Sequence, residues 1–220
     1  MSRMILVCGS LVEHVMEAQR REATDWPMEV LDRRLHADPK AMRQRAIEAM
    51  EAMPPDVDTV LVAMGFCGGS WDRVSLDRRV VIPRADDCVT LLLHTESIHG
   101  HDLKQKGHLY VKDRDPRQAS FKRIFEDYTE GCDPEGKELI FHRWFDSYDH
   151  LDVIDAGLYD CHDEGWLREI HADAEWLGAT VEHVEGSMIL LEDLVSGRWD
   201  DRFLIAGPGE MIRRESFFGA

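Results

Sequence analysis

The chain lacks most of the signals that would fix a function at a glance. No apolar run approaches the roughly 20 residues that span a bilayer. Met1-Ser2-Arg3 followed by a short strand has neither the length nor the cleavage site of a secretory signal. A soluble, cytoplasmic protein with no membrane partner is therefore expected. Basic charge is scarce: 26 Lys and Arg stand against 43 Asp and Glu, a formal net charge of -17 spread along the chain. Nucleic acid, whose phosphates require a basic face, is excluded as an expected partner. A small-molecule substrate or a protein fits better. No Cys-x-x-Cys occurs, so neither a zinc ribbon nor a thioredoxin-type site is available. The dinucleotide fingerprint G-x-G-x-x-G and the phosphate loop ending in Gly-Lys-Ser/Thr are also missing, which disfavours nucleotide binding. No linker rich in Gly, Ser or Pro divides the 220 residues, and residues 1–220 read as one domain with room for two lobes.

What is present is a repeated strand-and-helix pattern with thiols at its joints. Met4-Ile5-Leu6-Val7 runs into Cys8-Gly9. Thr59 to Met64 runs into Gly65-Phe66-Cys67-Gly68-Gly69, and Val80 to Ile82 into Pro83-Arg84-Ala85-Asp86-Asp87-Cys88. Between them, Leu11 to Arg21 has amphipathic helix spacing, Met28 to Leu31 is a short strand, and Asp38-Pro39 caps a helix that stops at Pro54-Pro55. A helix after Asp87, a strand at Gly107 to Val111, and helices at Gln118 to Tyr128 and Leu139 to Tyr148 follow, with a turn expected around Gly131-Cys132-Asp133-Pro134. The last third alternates again: strand Leu151 to Asp155, helix Glu164 to Leu177, strand Thr180 to Val184, helix Met188 to Val195 and strand Phe203 to Ala206. The expected fold is α/β and Rossmann-like, a mostly parallel sheet flanked by helices.

In such a sheet the carboxyl ends of the strands share one edge, where ligands bind. Cys8, Cys67 and Cys88 would then converge despite their separation in sequence. A lone free cysteine usually packs as a small hydrophobe, but a shared position after a strand directs all three to the crevice. Thiolates suit zinc, cuprous copper and iron-sulfur clusters, whereas magnesium and calcium prefer oxygen. Three cysteines with Asp86 as fourth donor would form a tetrahedral zinc site; His36 and His94 are alternatives to Asp86. Gly65, Gly68 and Gly69 allow close backbone approach to a ligand. Arg84 could hold an anionic substrate beside Asp87 or form an ordinary ion pair. Asp155 could act on a ligand, although its place before Ala156-Gly157 favours a cap. Acid-base catalysis by Asp86, Asp87 and Asp155 without metal is a further reading, and Cys132 and Cys161 receive no role.

These segments, in this order, resemble the DUF1638 family of bacteria and archaea. The likeness rests on Cys8, Leu35-His36 before the Asp-Pro helix start, Gly65-Phe66-Cys67, Ile82-Pro83-Arg84-Ala85-Asp86-Asp87-Cys88, Ile154-Asp155-Ala156-Gly157, the segment from Gly186 to Trp199, and Phe203-Leu204-Ile205 before Pro208-Gly209. The family pattern carries histidine where this chain has Asp86 and Gly-Ser where it has His94-Thr95. The resemblance implies a place beside corrinoid proteins and trimethylamine-type methyltransferases in one-carbon metabolism. The expectation is a zinc-binding methyltransferase or accessory factor serving a corrinoid on a partner protein. The alternative is a binding module for a small ligand or corrinoid protein, with cysteines that only pack.

Overall fold

The computed structural model describes residues 2–114 and 120–218. Strand and helix alternate throughout. β1 (Ser2–Cys8), α1 (Val12–Arg21), β2 (Met28–Leu31) and a 3₁₀ turn at Arg33–Ala37 lead into α2 (Pro39–Glu51), β3 (Val57–Ala63) and a second 3₁₀ turn at Cys67–Gly69. β4 (Val74–Ser75), β5 (Arg79–Pro83), α3 (Cys88–Leu93), β6 (His108–Val111), α4 (Phe121–Tyr128) and α5 (Pro134–Phe145) follow. The chain continues through β7 (His150–Asp155), α6 (Glu164–Leu177), β8 (Thr180–Glu185), α7 (Ile189–Ser196), β9 (Phe203–Ala206), β10 (Met211–Ile212) and α8 (Arg214–Phe218). Among the described residues, no helix is long and apolar enough to cross a membrane.

Two compact units form: Met1–Leu103 with Ser187–Ala220, and the stretch between them, Lys104–Gly186. The first holds a five-stranded sheet in the order β2-β1-β3-β5-β9. Its first four strands are parallel, and β9 runs antiparallel to β5. Both faces of this sheet are covered. Ile5, Leu6, Val7 and Cys8 are fully buried, as are Val60 to Met64, Val81 and Ile82 to within 1%. That is why these strands read as unbroken apolar runs and not as alternating ones. Each such side chain contributes roughly 1.5–3 kcal/mol by leaving water. Arg84 ties the C-terminal segment to the sheet by donating to the carbonyls of Phe203, Ser216 and Phe217.

The helices start where their caps dictate. The Asp38 carboxylate accepts from the amides of Lys40 and Ala41 at 2.9 and 3.2 Å, with Pro39 in the first turn where no amide is needed. Asp87 opens α3 by accepting from Thr90 N at 2.8 Å. Gln118, the expected start of α4, lies outside the described residues; within them α4 begins at Phe121 after the Ser120 cap.

The second unit carries the three-stranded parallel sheet β6-β7-β8. α6 covers it, with Trp166, Ile170 and Ala174 packed on Val111, Leu151 and Val153. Asp163 caps α6 through Trp166 N at 2.9 Å, and Gly178, at φ 72°, ends it in the left-handed conformation. The expected turn around Asp133-Pro134 is instead the first turn of α5: Asp133 accepts from Gly136 N at 2.7 Å. The helix thus begins five residues before the predicted Leu139, by the same Asp-Pro device that opens α2.

Candidate metal centre

A parallel sheet ordered 2-1-3 has its topological switch point between β1 and β3, where the chain turns from building one side to building the other. The crevice lies beyond the carboxyl ends of these strands, and four neighbouring strands deliver side chains to this edge. Cys8 is the last residue of β1. His36 sits in the 3₁₀ turn after β2, opened by Asp32, whose carboxylate accepts from Arg34 N. Cys67 lies in the turn after β3, and Cys88 is the first residue of α3 after β5.

Two loops are stitched together here. Phe66 N donates to Ala85 O at 2.8 Å and Cys67 N to Asp86 O at 2.7 Å. Gly65 lets them meet: a Cβ at this position would stand 2.6–2.7 Å from the N, Cα and C atoms of Asp87. Cys67 has φ 46°, in the left-handed region, as does Gly68 at 66°.

The structure brings three donors together. Cys8 Sγ, Cys88 Sγ and a His36 ring nitrogen all lie within 4.8 Å of one another. Cys8 Sγ is 2.8 Å from His36 Nε2 and 3.2 Å from Ser10 Oγ. Both thiols are buried, Cys8 at 0% and Cys88 at 4% exposure, whereas His36 is exposed. Beside them a cavity of about 180 Å³ has an apolar wall of Leu35, Pro39 and Met42 and a polar one that includes His36, Cys67, Asp86 and Asp87. This is below the roughly 300–1,000 Å³ that a drug-sized ligand occupies.

The donor set fits a zinc-type ion. Tetrahedral coordination with Zn–S about 2.3 Å and Zn–N about 2.0–2.1 Å sets ligand atoms about 3.5–3.8 Å apart. The three donors lie within 4.8 Å of one another, and an exposed His36 ring that moved out from its 2.8 Å contact with Cys8 would reach that spacing. Without an ion, the hydrogen bond with Cys88 and then burial push the Cys8 thiol up to about 12, against the opposing pull of His36. At neutral pH Cys8 is therefore a protonated, weakly nucleophilic thiol, and a cation bound beside it would favour the thiolate.

The remaining predicted site residues are distributed as follows. Cys67 and Asp86 line the cavity and are not among the three mutually close donors. Asp87 also lines it while capping α3. Gly68 borders the cavity, Gly65 permits the loop contact, and Gly69 accepts from Arg43 through its carbonyl at 2.7 Å. Arg84 lies outside the cavity lining, with its guanidinium on backbone carbonyls. Asp155 ends β7 in the other unit, where its Oδ1 accepts from Gly157 N at 3.1 Å; the helix that follows, α6, is capped by Asp163 and not by Asp155. His36, offered by the sequence only as an alternative donor, belongs to the group of three close donors, which does not include Asp86.

His94, the other alternative, is buried at 3% exposure and its Nε2 donates to Gly100 O at 2.8 Å. Among the described residues its Nδ1 has no hydrogen-bond partner. Burial holds its pKa below the usual 6.5. The unfolded chain thus binds a proton that the folded chain resists, so stability is full above about pH 6.5 and falls as pH drops below it. Thermal midpoints between about pH 7.5 and 5.5 should fall less steeply in His94→Gln, which keeps the donor to Gly100 without the titrating ring. Parallel curves would remove His94 as the cause.

A second Cys/His group, Cys161, His162 and His183, lies in the inserted unit. A family model described as "Protein of unknown function (DUF1638)" matches residues 30–195, most of the chain. Comparison with curated proteins finds no match, and comparison with solved structures finds none.

Proposed function

The chain belongs to the DUF1638 family, and we propose that it is a metal-binding protein whose zinc ion is held by Cys8, Cys88 and His36, serving corrinoid-dependent methyl transfer as methyltransferase or accessory factor. The observation that carries the metal reading is the approach of these three donors, from three separate strand ends, to within 4.8 Å of one another. Cys67 and Asp86, on the adjoining cavity wall, are the candidates for the fourth position. That position could equally be left to a substrate, as in catalytic zinc sites with three protein ligands. A thiolate-bound zinc ion supplies Lewis acidity that activates a substrate thiol as a nucleophile. The chain's own part is to exclude water from Cys8 and Cys88, to present His36 at the mouth, and to size the cavity for a small substrate. The corrinoid partner rests on the family resemblance.

Metal analysis of the purified chain, together with competition against a chelator across neutral pH, tests the metal reading. Because Cys8 is protonated up to about 12 without an ion, metal must displace its proton. Affinity should rise with pH by about tenfold per unit for each proton released. A flat profile with substoichiometric metal counts against the site. Demethylation of methylcobalamin by a small thiol, accelerated by the metal-loaded chain and not by the stripped chain, tests methyl transfer.

A second reading, a non-catalytic binding module, draws on the burial of both thiols and the hydrogen bond between them. It predicts that small thiols, methylated amines or cobalamins stabilise the metal-free chain and that Cys8→Ser leaves this stabilisation intact.

A further inference from the structure

The group of donors in the inserted unit owes its geometry to strand register. In β7, Leu151 and Val153 face the core under α6, so Asp155, two residues on, emerges from the same face of the sheet. β8 pairs with β7 in parallel, with Val153 opposite His183 and Asp155 opposite Glu185. His183 therefore shares that face with Val181, which packs on the same core. The loop leaving β7 then returns to it: Cys161 is 4% exposed within the core cluster. The next residue, His162, lays its ring on His183 with centroids 4.9 Å apart and planes 27° apart.

One donor atom from each of Cys161, His162 and His183 lies within 4.8 Å of the other two. Both imidazoles face solvent. Among the described residues, neither ring makes a hydrogen bond or an ion pair, so only their mutual stacking holds them together. The Asp155 carboxylate adjoins the thiol; burial first, and this carboxylate next, push the Cys161 pKa up.

We propose that Cys161, His162 and His183, with Asp155 as fourth donor, form a second metal site that takes a borderline divalent transition ion of the zinc class. One thiolate, two imidazoles and a carboxylate match that class, whereas magnesium and calcium select all-oxygen shells. The ion fastens the loop between β7 and α6 to β8 and neutralises the carboxylate next to a buried thiol. It is independent of the Cys8 site in residues and in unit.

The test uses the full chain, reduced and stripped with chelator, then titrated with cobalt(II), whose thiolate charge-transfer and tetrahedral d–d absorptions report coordination. One ion per donor group gives two per chain. His162→Ala/His183→Ala should bind one ion fewer than wild type, and Cys8→Ser/Cys88→Ser should retain the ion that the double histidine variant loses. Both histidines are exposed, so the double variant should keep its circular dichroism and its metal-free thermal midpoint. Cobalt uptake by that variant equal to wild type overturns the proposal. Loss of all cobalt from Cys8→Ser/Cys88→Ser also overturns it. A wild type that binds a single ion, abolished only by the histidine substitutions, supports this site and removes the other.

Discussion

Replacing Cys88 by serine should weaken zinc binding by more than about 100-fold, since loss of an outer partner of a metal ligand alone costs about 10–100-fold and here a ligand itself is lost. Serine occupies nearly the same volume at the first position of α3, so the helix survives. The cost is a buried hydroxyl in place of a thiol, about 1–3 kcal/mol if it finds no partner. A second readout separates this from general damage. The hydrogen bond with Cys88 is the largest cause of the raised Cys8 pKa. In metal-free Cys88→Ser, Cys8 should therefore titrate closer to the ordinary thiol value of about 8.5, measured by thiolate absorbance. Cys67→Ser should lower the affinity far less than Cys88→Ser where the fourth position is left to Asp86 or a substrate, and by a comparable factor where Cys67 fills it. Equal metal content in wild type and Cys88→Ser would end the case for this centre.

Gly65→Ala should be the most damaging single-methyl change at the site. The added carbon would lie 2.6–2.7 Å from three backbone atoms of Asp87, which have no side-chain freedom with which to yield. The loops after β3 and β5 must separate, straining the Phe66–Ala85 and Cys67–Asp86 hydrogen bonds that join them. Overpacking costs about 1–3 kcal/mol and each weakened hydrogen bond about 0.5–1.5 kcal/mol. Denaturant unfolding should therefore register a loss of roughly 2–6 kcal/mol, from the overpacking and the two hydrogen bonds together. Cys88 follows Asp87 directly, so metal affinity should fall as well. A change within about 0.5 kcal/mol, the range of ordinary surface substitutions, would mean the loops do not hold this separation in solution.

The elements that the sequence exposes most clearly are those with one dominant physical cause. β1, β3 and β5 stand out because burial on both faces keeps residues 5–8, 60–64 and 80–82 apolar, α2 because the Asp38 cap marks its start, and α6 because Leu167, Ile170, Ala174 and Leu177 recur at helical spacing. The start of α5 escaped because Gly131 and Gly136 flank its Asp-Pro opening and imitate a turn, although Gly136 is the residue whose amide Asp133 caps. The direction of β9 was illegible, since an antiparallel edge strand has the same apolar content as a parallel one. At the site, Cys8, Cys67 and Cys88 could be grouped in advance because strand ends of a parallel sheet share an edge, although Cys67 stands on the cavity wall outside the close group. His36 could not, because its reach depends on a 3₁₀ turn that only the Asp32 cap creates. Cys161 and His183 are linked only through the β7–β8 register, which no local pattern encodes.

The interruption of the first unit by Lys104–Gly186 sets an order of events during translation. The ribosome delivers Cys8, His36 and Cys88 early, but α7 and the edge strand β9 come only after the whole inserted unit has been made. The inserted segment is thus contiguous and can fold as it emerges, while β5 waits with one edge unpaired, the kind of exposed strand that invites wrong partners. A metal ion captured by the three early ligands would fasten the ends of β1, β2 and β5 together during that wait, acting as a brace for a nascent sheet before the chain that completes it exists.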